Sequence, residues 1–132
     1  RQMCIRDSAN VAIGRGLSVE YGTAYNILSD LQNENFGRTG NLQYTEERVL
    51  HTDLLILDDL GSELSTPFVQ SALYTLINTR LTADKRTVIS SNLTMDQVRA
   101  RYTPQIASRL EGEYRVLPFY GEDIRLLRKQ TL

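Results

Sequence analysis

The stretch "LLILDDLG", Leu54 to Gly61, sets the tightest limit on the fold. Four apolar residues follow one another without polar alternation. A strand half-exposed to water alternates apolar and polar residues. A strand without alternation is covered on both faces, as in a parallel sheet flanked by helices. It ends in two adjacent carboxylates, Asp58 and Asp59. In such sheets ligands bind beyond the carboxyl ends of the strands, which is where this pair falls.

The remaining segments fit that frame. "ANVAIGRG" reads as the last turns of a helix stopped at Gly14 or Gly16, and "LSVEY" as a short strand. "TAYNILSDLQNEN" has helical spacing, and "FGRTGNLQ" reads as a loop. "YTEERVLHT" is a short helix that Thr45 can cap. In "STPFVQSALYTLINTRL", Thr66 and Pro67 fit a helix start, and Phe68, Ala72, Leu73, Leu76 and Ile77 form one stripe. "RTVISSN" is a strand with Val88 and Ile89 inside. Two short helices meet at Pro104, "YRVLPFYG" is an edge or terminal strand, and "EDIRLLRKQ" is expected as a closing helix. Strands alternating with helices predict a three-layer α/β/α sandwich with a mostly parallel sheet.

Composition narrows the functions. The chain has 132 residues, enough for one small domain, and no repeat or Pro/Gly linker divides it. Its 15 basic and 16 acidic residues give a net charge of −1, so nucleic acid could be drawn only to a local patch. The single cysteine, Cys4, allows no internal disulfide. No apolar run reaches the roughly 20 residues of a membrane helix. No secretion signal is read either, and the expected location is cytoplasmic.

Several residues can carry chemistry. In nucleotide hydrolysis one carboxylate holds Mg²⁺ through its waters, and the next residue can orient the attacking water. Asp58 and Asp59 suit that division, since successive strand residues face opposite sides; a strand end whose acids cap the following turn is the plainer alternative. Ser90, Ser91 and Asn92 end the next strand beside them, where an amide can bond a γ-phosphate. An ordinary strand exit has the same composition. Arg109 and Arg125 can stabilise charge on a phosphoryl group, although an isolated arginine usually lies on a solvated helix face. His51 has no ligand-spaced neighbour and reads as structural. Tyr21, Tyr25, Phe36 and Tyr44, with Arg38 among them, could stack on single-stranded bases or serve as core and loop aromatics.

Taken in order, "VEYGTA", "DLLILDDLGSE", "LYTLINTRLTADKRTVISSNL", "RYTPQIASRLEG" and "FYGEDIRL" resemble the AAA+ ATPases of bacterial helicase loaders (DnaC and DnaI type). They are similar as well to the related ATPases that assist transposases (IstB type). The resemblance runs from about Ala9 to the C-terminus. It implies ATP and Mg²⁺ as cofactors, with Asp58 as the Walker B carboxylate and Asp59 in the place of a catalytic acid. It implies Asn92 as sensor 1, Arg109 as an arginine finger acting on a neighbouring subunit, and Arg125 as the sensor-2 arginine. A replicative helicase or a transposase is the implied partner, with self-association through Arg109. A single-strand-binding element would fall near Tyr25, Phe36 and Arg38.

The front of the chain departs from that family, which carries a Gly-x-x-Gly-x-Gly-Lys-Thr phosphate loop there. Here residues 1–8, "RQMCIRDS", have no glycine, no lysine and no helical apolar stripe. They read as an anomalous segment, with residues 9–132 a partial AAA+ domain. The expectation is a chain inactive in hydrolysis, with an open strand edge beside "RTVISSN". Three functional readings stand: helicase-loader ATPase core, transposition ATPase, or a non-catalytic interaction remnant.

Overall fold

The computed structural model describes the backbone of residues 2–119 and 123–128 and the side chains of residues 5–118. In chain order the elements are α1 (Gln2–Gly14), β1 (Val19–Thr23), α2 (Ala24–Asn35), α3 (Glu46–His51), β2 (Leu54–Leu60) and α4 (Pro67–Thr82). β3 (Arg86–Ser91), α5 (Met95–Arg101), α6 (Pro104–Glu113), β4 (Tyr114–Phe119) and β5 (Asp123–Arg128) follow. Every helix from α2 to α6 starts on a threonine whose hydroxyl accepts an amide of the first turn: Thr23, Thr45, Thr66, Thr94 and Thr103. Each cap satisfies a donor that the helix itself leaves unpaired.

β2 is the centre of the architecture. Leu55 and Leu57 face a core built from α2, α3, α4, α5 and α6, including Ile27, Leu28, Val49, Leu73, Ile77, Val98 and Ile106. Leu54 and Ile56 face the other side, where Ile5 and Ala12 of α1 cover them. Leu55, Ile56 and Leu57 are wholly buried. Burial of each such side chain contributes about 1.5–3 kcal/mol, an upper bound because unfolded chains are already partly collapsed. The missing alternation in "LLIL" thus has its cause: helices lie on both faces, as a three-layer sandwich requires.

The sheet order is β1-β2-β3-β5-β4. β1, β2 and β3 run parallel, which aligns their carboxyl ends along one edge. β5 then pairs antiparallel with β3 on one side and with β4 on the other. β4, with Pro118, is the edge strand, as its proline suggested.

Three expectations need correction. The closing segment is a strand, not a helix, over Asp123–Arg128. Leu126 and Leu127 stand opposite Ile89 and Val88, so the pairing groups of β3 find partners and the open edge expected beside "RTVISSN" is filled. Ladder formation along a central strand outweighs the weak helical preference of six residues. Second, "RQMCIRDS" continues α1, because Ile5, Ala9 and Ala12 recur at helical spacing against Leu54 and Ile56. Third, the buried stripe of α4 is Val69, Leu73, Leu76, Ile77 and Arg80. Phe68 and Ala72 pack only at its rim.

Arg80 is wholly buried. Its Nη1 donates to the carbonyls of Val49 (3.1 Å), Leu50 (3.2 Å) and Thr52 (2.7 Å). Nη2 donates to the Arg86 carbonyl at 2.6 Å, and Nε to the Thr87 hydroxyl at 2.9 Å. One guanidinium thereby joins α4 to the end of α3, the approach to β2 and the start of β3. Burial lowers its pKa to about 10, against the favourable fields of Tyr114 and Asp53. Asp53 ties the same sheet edge to β1. Its carboxylate accepts the Ser18 amide (2.9 Å) and hydroxyl (3.1 Å) and pairs with Lys85 at 3.4 Å.

Replacing Arg80 by Ala leaves several carbonyls without partners, so stability should fall by at least about 3 kcal/mol, read from the urea midpoint. Arg80→Lys should recover only part of that, because three donors on one nitrogen cannot span the same carbonyls. The Ser18 bonds and Lys85 lower the Asp53 pKa. Its contribution is therefore complete above the ordinary carboxylate value of about 3.9 and is lost as pH falls through the lower folded value. Asp53→Asn should flatten the acid limb of a pH–stability curve in that window and leave the rest of its shape alone.

Candidate functional site

The carboxyl ends of the three parallel strands converge on Asp58 and Asp59. Regular pairing of β2 with β3 stops at Leu57 and resumes at Leu60, opposite Ser91. The irregularity between them puts Asp59 in the left-handed region, with φ 58°. Plain strand alternation therefore does not govern the two carboxylates, and the expectation of opposite faces must be replaced by a bulge. Ser90 holds the bulge. Its hydroxyl accepts the Asp59 amide at 3.0 Å and donates to Asp58 Oδ1. Tyr21, on β1, donates its hydroxyl to Asp58 Oδ2 at 3.0 Å. Gly61 completes the turn at φ 110°, where a Cβ would meet Leu93 Cδ1 at 2.9 Å. Only glycine takes that conformation without strain.

The other candidates are spread over the molecule. Asn92 directly follows β3 and is exposed at the same sheet edge as the aspartates. Arg125 is paired across the ladder with Ser90, so its backbone adjoins the residue that touches both aspartates. Its side chain lies outside the described residues. Arg109 is exposed on α6, which packs against α4, α5 and β4 rather than at the acidic turn. Tyr25 is in the first turn of α2 and Phe36 follows its last, so the two mark opposite ends of a helix about 18 Å long. Phe36 instead groups with Phe68, their ring centroids 6.1 Å apart, and with the Arg38 guanidinium 5.8 Å from its ring. Tyr44 is a core residue whose hydroxyl donates to the Tyr21 carbonyl at 2.7 Å. His51 is exposed in the last turn of α3.

Sequence reasoning missed Tyr21 as a partner of Asp58, and it missed the acid Glu63. Glu63 is buried in the loop after the turn, where Oε2 accepts the Gly61 amide at 2.8 Å and Oε1 accepts the Tyr102 hydroxyl. Burial, then the bond to Glu63, push the Tyr102 hydroxyl far above the usual phenol range. An acid in a polar turn carries no periodic signal, and nothing in the sequence marked this one.

A divalent cation can be fitted to this turn in one way. Among the described residues no group of three His, Cys, Asp or Glu side chains could enclose a metal. Mg²⁺ on a nucleotide needs no such cage, since phosphates and water supply most of its ligands. Each Asp58 oxygen already accepts one hydrogen bond and keeps a second lone pair. That suits a carboxylate holding the ion through water.

A family model described as "IstB-like ATP binding protein" matches residues 7–131. No curated protein matches. Among solved structures, AMPPCP-bound DnaA from Aquifex aeolicus aligns with a TM-score of 0.61 at 23% identity, over 79% of this chain and 32% of that one. A structure titled "DNA replication initiation factor" aligns with a TM-score of 0.63 at 21% identity, over the same 79% and 32%. The chain thus spans about a third of the length of these structures. At this identity the likeness shows a shared α/β fold. Among the described residues no helix is long and apolar enough to cross a membrane.

Ser90→Ala removes the acceptor of the Asp59 amide and a donor to Asp58. It should cost about 1–3 kcal/mol in denaturant unfolding. Exchange of the Asp59 amide should quicken selectively. Unchanged exchange there would show that Ser90 does not hold the bulge.

Proposed function

The chain belongs to the IstB-like ATP binding protein family, and from that premise we propose that it is the AAA+ core of a helicase loader. In this reading it is an Mg-ATP-dependent switch, assembled as an oligomer beside a replicative helicase and single-stranded DNA. The observation that carries the proposal is the acidic turn: two carboxylates at the end of the central parallel strand, fixed by a serine of the next strand.

The residues divide the work. Asp58, restrained through both oxygens by Tyr21 and Ser90, holds the waters of the cation. When bound, Mg²⁺ neutralises charge on the β- and γ-phosphate oxygens. Asp59 stands beside it on a turn locked by Ser90 and orients the attacking water. Asn92 bonds the γ-phosphate from the adjoining strand end. Arg109, exposed on α6, reaches a nucleotide held by a neighbouring copy. Arg125, next to Ser90 in the ladder, serves the nucleotide of its own subunit. Phe36 and Arg38 offer a small stacking platform for a single-stranded base, with Tyr25 a separate contact.

A second reading has its own support. The family description names IstB-like proteins, which favours an ATPase subunit of a transposition system acting with a transposase. The titles of the solved relatives, a DnaA and a replication initiation factor, favour replication. Both readings share the core, and a non-catalytic interaction module is the outcome if no nucleotide binds.

The 132 residues contain no Gly-Lys-Thr or Gly-Lys-Ser phosphate loop, so this chain by itself should give no ATP turnover. Joined to such a loop ahead of Ala9, it should hydrolyse ATP when assembled. Arg109→Ala should then lower turnover by about 10³-fold or more while nucleotide binding stays intact. Loss of binding in the monomer would place Arg109 in its own site instead. An Asp58→Asn variant with undiminished turnover would refute the ATPase reading. Co-purification with a helicase or with a transposase decides between the two partners.

A further inference from the structure

Glu63 is buried, with only 4% of its surface exposed, and no step of the proposed chemistry uses it. A carboxylate at that depth is costly unless it is paired and hydrogen-bonded. Its bonds reach in two directions. Oε2 accepts the amide of Gly61, in the acidic turn, at 2.8 Å. Oε1 accepts the hydroxyl of Tyr102, with Arg101 Nε 3.8 Å away. Arg101 Nη2 also donates to the Glu63 carbonyl. Gln70 repeats the link nearby: its amide donates to the Ser65 hydroxyl at 2.9 Å and to the Arg101 carbonyl at 3.1 Å.

Arg101 and Tyr102 form the junction between α5 and α6, and α6 starts at Pro104. One buried side chain thus spans from the turn after Asp59 to the root of the helix that carries Arg109. A brace for the loop alone would be cheaper as an apolar residue, since replacing buried ion pairs by well-packed hydrophobes is often neutral or stabilising. The acid is needed for what it bonds on each side.

We propose that Glu63 is a positioning residue that couples the acidic turn to the Arg109 helix, so that the two shift together. If the ATPase reading holds, on which the functional meaning rests, each subunit's own nucleotide turn is thereby linked to the arginine it presents to its neighbour. The coupling has the form required of communication between sites: both ends contact one connecting group whose removal should free both.

Amide hydrogen exchange on the 132-residue chain tests this without nucleotide. The reporters are the Gly61 amide and the Ala107 amide, which bonds the Thr103 carbonyl at 3.0 Å in the first turn of α6. Glu63→Gln keeps the side-chain size and removes the charge. Tyr102→Phe removes the opposite end of the link and serves alone if the first variant fails to fold. In each, exchange at Gly61 and Ala107 should quicken together by about tenfold or more, with Leu57 and Leu76 within about twofold of the parent. The double variant should add little at Ala107 beyond either single change, as expected for two members of one connection. Acceleration confined to one reporter, a uniform rise that includes Leu57 and Leu76, or additive effects would overturn the proposal. Absent ATP turnover in the assembled chain joined to a phosphate loop would sink the ATPase reading and leave this coupling standing, so the two failures are distinguishable.

Discussion

The guanidinium of Arg80 is the interaction on which the sheet depends. It carries a charge into the core and surrounds it with carbonyls rather than a carboxylate. Three of those carbonyls belong to the end of α3 and the residues just beyond it. That is the negative end of the helix dipole, where a cation is favoured. Because the Arg86 carbonyl and Thr87 hydroxyl are bound by the same group, the entries to β2 and β3 are set against each other. Asp53 does the equivalent for β1 through Ser18. The parallel strands are thereby fixed in register at their amino edge.

Register fixed at one edge determines what meets at the other. With Leu57 opposite Ile89, Ser90 comes level with the aspartates, and with Tyr21 opposite Ile56 the phenol of Tyr21 comes within reach of Asp58. The left-handed backbone at Asp59 costs about 1–2 kcal/mol for a residue with a Cβ. The Ser90 bond to its amide and the Glu63 bond to the Gly61 amide offset that strain from either side of the turn. A one-residue slip of β3 that put Ile89 in the place of Ser90 would leave the Asp59 amide unpaired. The buried arginine at the amino edge and the acidic turn at the carboxyl edge are two ends of one constraint.

Much of this was legible in the sequence, for physical reasons that differ by element. The unbroken "LLIL" announced helices on both faces, and α1 and the α2–α6 layer are there. Thr66-Pro67 and Thr45 marked helix starts because capping is local chemistry. The meeting of Ser90 with the aspartates followed from adjacent parallel strands. β5 was misread, since a six-residue "DIRLLR" has no intrinsic preference strong enough to oppose an open ladder beside β3. Arg80 left a trace that could have been used: it falls three residues after Ile77 and four after Leu76, on the buried stripe. Glu63 left none, because its partners Arg101 and Tyr102 lie 38 and 39 residues away and only the folded chain joins them.

The hydrogen bonds at Asp58 also bear on how it can act. Both of its oxygens already accept a hydroxyl, one from β1 and one from β3. Each oxygen keeps one lone pair, but the carboxylate plane is set by its two donors. Direct bidentate ligation would have to use those two remaining lone pairs in the plane that the hydroxyls set. A water shell asks for less, since water can donate to the remaining lone pairs without moving Tyr21 or Ser90. Mg²⁺ keeps its waters tightly. In the proposed ATPase reading, this arrangement favours a cation held through its hydration shell. It also gives Tyr21 a definite place in the site: it is the only one of the two donors that is exposed to solvent, and so the one that an arriving ligand meets first.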